Sequence, residues 1–228
     1  MQAGNAHYRT MKDIPEIIPV FPLKAALLLP NGQMPLNIFE PRYLEMLDAA
    51  MAGKRIIGMI QPCLDGDRKA GARKERKVPD LCEVGCMGRI TTYAETGDGR
   101  ILITLQGICR FRVLDEMVNR LPFRQCRIAP FLADLEETAG AEEINRQALL
   151  KAFRDYLDAN NLDADWDGIS RAGNETLVNA LAMMSPFGPA EKQALLEAAD
   201  LKTRAETLIA LTEIALAREN DDFGSSLQ

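Results

Sequence analysis

The sequence predicts an α+β chain, with a β-rich N-terminal module followed by a helical C-terminal one. Apolar residues alternate or run in short blocks as far as about residue 131, separated by Gly, Pro, Asn and Asp. Beyond about residue 140 they recur at intervals of three and four, as on one face of a helix. The charge divides at the same place. Residues 1–128 carry 19 Lys+Arg against 14 Asp+Glu, net +5, and residues 129–228 carry 8 against 19, net −11. Two modules follow, at residues 14–132 and 140–219.

Residues 1–13 are polar and predict a frayed start. Ile17, Ile18, Val20 and Phe21 make a first β segment. Leu27, Leu28 and Leu29 form an apolar run that Pro30-Asn31-Gly32 ends, and Met34, Leu36 and Ile38 alternate in the next segment. The period then changes. Glu40 suits the positive end of a helix dipole, and Pro41 the first turn, where its missing N–H leaves nothing unpaired. Leu44, Leu47 and Met51 follow on one helical face. Arg55 to Pro62 reads as a buried strand beside that helix, and residues 63–79, Gly-rich and charged, as a long exposed loop.

From Leu81 to Tyr93 the pattern is β again, with Gly85 and Gly88 marking bulges or close backbone approach. Thr96-Gly97-Asp98-Gly99 suits a hairpin turn, since Gly and Asp accept positive φ. It leads into Ile101, Ile103 and Leu105, a break at Gly107, and then Ile108, Phe111 and Val113. Phe123 to Phe131 is the last strand and residues 132–139 a linker. Four helical stripes follow: Leu149, Leu150, Phe153, Tyr156 and Leu157; Leu177, Val178, Leu181 and Met184; Leu195, Leu196 and Ala199; and Leu201, Ala205, Leu208, Ile209 and Leu216, this last with Thr203 and Glu206 in capping-box order.

With 228 residues, 47% of them hydrophobic, the chain can bury a large core. No apolar run approaches the roughly 20 residues of a membrane span. The opening lacks the basic start and apolar block of a secretory signal, so a cytoplasmic protein without a membrane partner is expected. The five cysteines (Cys63, Cys82, Cys86, Cys109, Cys126) suit reduced, buried thiols. Cys82-x-x-x-Cys86 could be half of a zinc site, but the other half is missing, and residues four apart on a strand share a face; core cysteines and no metal are expected.

Asp163-x-Asp165-x-Asp167-Gly168 opens like a calcium loop, yet Asn174 stands where that loop needs its twelfth-position Glu. It reads as a turn with solvated acids. A phosphate-binding loop is absent: Gly53-Lys54 is followed by Arg55 and lacks the upstream glycine. The sole histidine, His7, stands in the polar start, which leaves no Ser-His-Asp set. Neither cofactor nor catalysis is expected.

Several segments together resemble the N-terminal domain of the Lon ATP-dependent protease. They are Pro19-Val-Phe-Pro-Leu23, the Leu28-Leu-Pro-Asn-Gly32 turn, Leu36-Asn-Ile-Phe-Glu-Pro-Arg-Tyr43, Gly85-Cys-Met-Gly-Arg-Ile90, the run from Thr96 to Val113, Glu191 to Glu197, and Leu201 to Leu208. The resemblance implies a PUA-like, mostly antiparallel β-barrel with one packed helix, followed by a helical bundle. It is a resemblance to a non-catalytic domain that recognises unfolded or tagged polypeptides, and no stretch here is similar to the Lon ATPase or Ser-Lys protease segments. The implied role is that of a substrate adaptor or holdase-like module, or of a partner of one defined protein.

Carried over onto this sequence, the polypeptide-binding candidates are Met34, Leu36, Phe39, Arg42 and Tyr43, at the strand-to-helix corner. Met-rich and aromatic surfaces repack around varied side chains. Core packing competes for Leu36 and Phe39, and an internal pair with Glu40 or Glu45 competes for Arg42. The alternative is RNA binding through the basic run Arg68, Lys69, Arg73, Lys74, Arg76 and Lys77, as in some PUA-like relatives, although the run holds no aromatic for base stacking. The tryptophan cage of cereblon relatives is not carried over, since Trp166 is the only tryptophan.

Overall fold

A computed structural model describes residues 1–63, 79–136, 143–160 and 166–225. The chain is α+β and divides into two compact units, one of Met1–Glu137 with Pro186–Leu196, the other of Thr138–Ser185 with Glu197–Gln228.

The first unit holds β1 (Gln2–Ala3), β2 (Ala6–His7), β3 (Ile17–Pro22), β4 (Gln33–Ile38), α1 (Pro41–Ala52), β5 (Ile56–Ile60), β6 (Val84–Glu95), β7 (Ile101–Glu116) and β8 (Arg124–Pro130). The main sheet runs β4-β7-β6-β5-β3-β8, and β8 pairs with β7 as well as β3. All these pairings are antiparallel except β3 with β5. Ile18, Val20, Met87, Ile108, Phe111 and Ile128 form the core within. Every residue of β5 is buried, as its uninterrupted apolar run requires.

Four expectations need correction here. The polar start is a small β1–β2 hairpin followed by a 3-10 turn at Met11–Asp13, not a frayed end. Ala3 and Tyr8 are buried and anchor it, and the Gln106 side chain exchanges hydrogen bonds with Gln2 and Gly4. Gly107 does not break the strand; β7 is continuous through it. It lies opposite Gly88 at a β-bulge, and its N–H and carbonyl bond to the turn at Leu29–Gly32. On α1 the buried stripe is Tyr43, Met46, Leu47 and Ala50, rotated from the expected Leu44, Leu47 and Met51, because Tyr43 packs edge-on against Phe21 with ring centroids 4.3 Å apart. Within the expected linker, Leu132–Leu135 forms a 3-10 turn with Leu135 buried.

β4 has one paired side only, among the described residues. The bond from the Gly107 N–H to the Gly32 carbonyl, at 2.8 Å, sets the phase of its ladder with β7. Met34, Leu36 and Ile38 therefore turn their backbone groups toward β7, and Gln33, Pro35 and Asn37 turn theirs outward. Pro35 thus removes the middle donor of the open edge, where a strand tolerates proline.

The helices are α2 (Arg146–Ala159), α3 (Trp166–Arg171), α4 (Asn174–Met184), α5 (Pro189–Glu197) and α6 (Leu201–Ser225). In the second unit α2 and α4 pack on α6, burying Leu149, Phe153, Leu177, Val178, Leu181, Leu201 and Leu208. Met184, expected in the stripe, is 77% exposed. The start of α6 is capped by the Asp200 carboxylate, which accepts the Thr203 N–H at 2.7 Å; Thr203 is already inside the helix and is not the cap.

Helix α5 groups with the sheet, except for its last residue. Gln61, 2% exposed, donates to the Pro189 carbonyl at 2.9 Å and to Gln193 at 3.2 Å, and Gln193 donates to the Val84 carbonyl. Lys192, on the same helix, is buried, and burial pulls its ammonium down to about 8. The folded chain therefore holds that proton less tightly than the unfolded one. The resulting penalty is fully present below pH 8 and fades as pH rises toward the ordinary value of 10.5. Burial raises the Cys109 and Cys126 thiols, which act in the opposite sense at alkaline pH, so a difference between two chains isolates the lysine. We expect the stability of Lys192→Met relative to the wild type to fall by about 2 kcal/mol between pH 7.5 and 10 in urea denaturation. A difference that stays level with pH would exclude this origin.

Candidate functional site

Sequence alone places five candidates at the β4–α1 corner, and the structure brings Arg42 and Tyr43 into one cavity whose lining does not include Met34, Leu36 or Phe39. Met34 and Leu36 are half-buried on β4, opposite Leu105 and Ile103 of β7 and turned toward the same side of the sheet as those buried residues. Phe39 is 59% exposed, with the Arg100 guanidinium 5.8 Å from its ring centroid. Arg42 pairs with Glu40 at 2.7 Å and lies 4.5 Å from the Tyr43 ring centroid. Tyr43 is buried, and burial, the dominant influence, pushes its phenol above the ordinary value, leaving it a neutral hydroxyl at pH 7.

Arg42 and Tyr43 meet in a cavity of about 190 Å³ with Pro22, Pro62, Phe123 and Arg124. Pro79 and Pro122 complete its lining. The basin is therefore mostly proline and aromatic, with two arginines at its edge. Each arginine already has an acid. Arg42 is held by Glu40, and Arg124 makes a two-point pair with Glu116 at 2.7 and 2.8 Å while donating to the Pro79 carbonyl. The basin thus offers apolar surface and little net charge. It is smaller than the roughly 300–1,000 Å³ of small-molecule sites, and suits a single apolar side chain.

The turn between β7 and β8, which supplies Pro122, also leaves Val118 and Leu121 exposed, at 96% and 46%. None of the four prolines, nor Phe123 or Arg124, was a sequence candidate. Pro22 ends β3, Pro62 follows β5, Pro79 precedes β6, Pro122 and Phe123 lie in the β7–β8 turn and Arg124 opens β8, and the sheet order brings them together.

The alternative run Arg68, Lys69, Arg73, Lys74, Arg76 and Lys77 lies outside the described residues. So do Asp163 and Asp165. Asn174, at the twelfth position of that sequence pattern, accepts a hydrogen bond from Arg146 at 2.8 Å. Cys86, Cys109 and Cys126 are buried, whereas Cys63 and Cys82 are half-exposed, because Cys82 precedes β6 instead of sharing its inner face with Cys86. Among the described residues no group of three or more His, Cys, Asp or Glu could hold a metal ion.

A family model described as the ATP-dependent protease La (LON) substrate-binding domain matches residues 17–213. Lon protease 2 of Myxococcus xanthus is 26% identical over 212 residues, which cover 88% of this chain and 24% of that protein. The Lon protease of Desulfosudis oleivorans is 26% identical over 201 residues, covering 86% of this chain and 23% of that protein. The chain thus spans about a quarter of the length of the curated relatives it matches. The solved N-terminal domain of Mycobacterium avium complex Lon protease aligns with a TM-score of 0.64 and 17% identity over 86% of this chain and 98% of that one. A Lon N-terminal domain protein from Xanthomonas campestris aligns at 0.58 with 22% identity, over 85% and 97%. These two likenesses show the fold.

Proposed function

This chain belongs to the Lon substrate-binding domain family, and from that premise we propose that it binds polypeptide at the α1 corner and performs no chemistry of its own. Its work is that of a cytoplasmic adaptor or holdase-like module, which holds an unfolded or tagged segment or one defined protein. The main sheet, whose β8 pairs with both β3 and β7, is the PUA-like barrel of this reading, and α2, α4 and α6 are its helical bundle. No described helix is long and apolar enough to cross a membrane.

One observation carries the proposal: a proline- and aromatic-lined basin of single-side-chain size, its arginines neutralised by Glu40 and Glu116, with an exposed Phe39 four residues before Tyr43 in the chain. Such a site takes apolar side chains from many sequences and gains little from charge. Binding should therefore tolerate salt, unlike phosphate contacts, whose affinity falls steeply as salt rises.

The test is fluorescence anisotropy of the chain against a permanently unfolded polypeptide and a single-stranded RNA, each at low and high salt. The polypeptide should bind saturably, with affinity changing less than about threefold between the two salts. Phe39→Ser combined with Pro122→Asp, both at exposed positions, should weaken it at least about tenfold. Binding of RNA alone, collapsing as salt rises, would contradict the proposal.

A further inference from the structure

We propose that the surface around the α1–β5 turn docks an acidic segment of a partner protein, with one large apolar side chain as its anchor. Direct bonds tie five cationic residues together here. The Lys54 ammonium, in the turn that follows α1, donates to the Lys12 and Asp13 carbonyls at 3.4 and 3.1 Å. The Lys54 carbonyl accepts from the Arg89 guanidinium of β6 at 2.8 Å, and that guanidinium also donates to the Tyr8 hydroxyl and the Asn5 side chain. Arg55 follows Lys54, and its carbonyl accepts the Ile90 N–H at 2.8 Å. The Arg9 N–H donates to the Asp13 carboxylate at 2.9 Å. Arg9, Lys12, Lys54 and Arg55 are exposed, and Arg89 is half-buried.

These charges lack the acids that the arginines of the first basin have. Among the described residues, none of the five enters an ion pair. The acid at hand, Asp13, is already engaged. Its Oδ2 accepts the N–H groups of Arg9 and Thr10 and the Thr10 hydroxyl, and those backbone bonds hold its carboxyl below its ordinary value. It stays ionised and offsets one charge. Over residues 5–16, 53–56 and 89–90, five Lys or Arg stand against Asp13 and Glu16, net +3. Neutral oxygens hold the Lys54 and Arg89 head groups, so their charge is positioned and not cancelled. Arg55 stands at φ 60°, in the left-handed region where glycine would be easier, so its side chain is carried against a backbone preference.

Lys54 also lines a cavity of about 300 Å³, together with Pro15, Ile17, Pro19, Ala49 and Gly53. The cavity shares no lining residue with the basin around Tyr43. It has room for one large side chain. No aromatic is among its lining residues, and the Tyr8 ring is buried. A single-stranded RNA would therefore be held by its phosphates alone, without the stacking that such binding draws on. Carboxylates on the cations, with an apolar side chain in the cavity, use both features at once. Unpaired surface charge of one sign also steers an oppositely charged partner, an effect that salt screens.

The experiment uses the whole chain and a labelled Gly/Ser peptide carrying several glutamates around one phenylalanine. Two references replace every Glu by Gln, or the Phe by Ser. At low salt the acidic peptide should bind about tenfold or more tighter than its Gln reference, and the advantage should shrink to about threefold or less near 0.5 M salt. Lys12→Glu should weaken the acidic peptide about tenfold and Arg55→Gly, which relaxes the backbone, about threefold, with the Gln reference unchanged by either. Ala49→Trp, at an exposed lining position, should fill the cavity and erase the advantage of Phe over Ser. The Phe39→Ser, Pro122→Asp variant should bind the acidic peptide normally, so that this surface and the first basin succeed or fail separately. Equal binding of the Glu and Gln peptides at low salt overturns the proposal, as does an acidic peptide indifferent to both charge variants. Tight binding of a single-stranded RNA with the acidic peptide silent also overturns it, and an Ala49→Trp chain that still prefers Phe overturns the anchor.

Discussion

Gly107→Ala is expected to destabilise the chain by about 3–5 kcal/mol, on the order of 10 °C in Tm, although it adds a single methyl group. A Cβ at this position would stand 2.0 Å from the Leu29 carbonyl oxygen and 2.8 Å from the Leu29 carbonyl carbon. Those are backbone atoms, so no rotamer change relieves the clash. The turn it would push away is bound to the strand at that point: the Gly107 N–H donates to Gly32, the Asn31 N–H donates to Gly107, and the Leu29 carbonyl accepts from Gly32. Separating strand from turn puts these bonds at risk, each worth about 1 kcal/mol, together with the packing of the buried Leu27, Leu28 and Leu29. Gly173→Ala is the control, since an added Cβ there meets nothing within 4 Å. It should stay within about 1 kcal/mol of the wild type, the remaining cost arising because Gly173 is the N-cap of α4, where alanine caps less well. Chemical denaturation followed by circular dichroism measures both, and a Gly107→Ala chain as stable as Gly173→Ala would show that the turn yields freely.

The second large effect comes from Arg110. Its Nε and Nη2 donate to the two Asp134 oxygens at 2.9 and 2.8 Å, its own backbone N–H donates to Oδ2, and its Nη1 donates to the Leu196 carbonyl at 3.2 Å. Both side chains are more than nine-tenths buried, and the Phe131 ring lies 5.2 Å from the guanidinium carbon. One residue thus ties β7, the 3-10 turn at Leu132–Leu135 and the end of α5 together. Guanidinium cannot shed its proton, so removing the acid leaves a buried charge with no means of neutralising itself. Asp134→Ala should cost about 3–5 kcal/mol. Arg110→Met combined with Asp134→Leu should cost less than the sum of the two single changes, because the double variant leaves neither charge stranded. Additive costs, or an Asp134→Ala penalty under about 1 kcal/mol, would mean that water reaches the pair.

Much of the sheet is legible in the sequence. Met34, Leu36 and Ile38 alternate where β4 forms, Pro41 opens α1, and Thr96 to Gly99 turn the β6–β7 hairpin with Gly97 and Gly99 at positive φ. What was misread had a rival of equal local quality. On α1 two apolar stripes overlap through Leu47, and only the Phe21 ring across the interface selects the one containing Tyr43. Gly107 reads as a break because chain-local reasoning sees a missing side chain and not the turn that fills its place. The start reads as frayed because Ala3 and Tyr8 are two isolated apolar residues whose partners are distant in sequence. The basin around Tyr43 was half legible. Arg42 and Tyr43 stand in one motif, but Pro22, Pro62 and Phe123 reach them only once β3, β5 and β8 are laid side by side.

Pro35 has a consequence for how long a guest would stay. With the middle donor missing from the open edge of β4, an incoming chain finds no continuous ladder to anneal to there, and neither does a second copy of this protein. Attachment is left to side chains, which let go one at a time. On the proposed polypeptide-binding reading, a guest held this way would depart without any strand being unzipped, so its residence would be short and its exchange rapid.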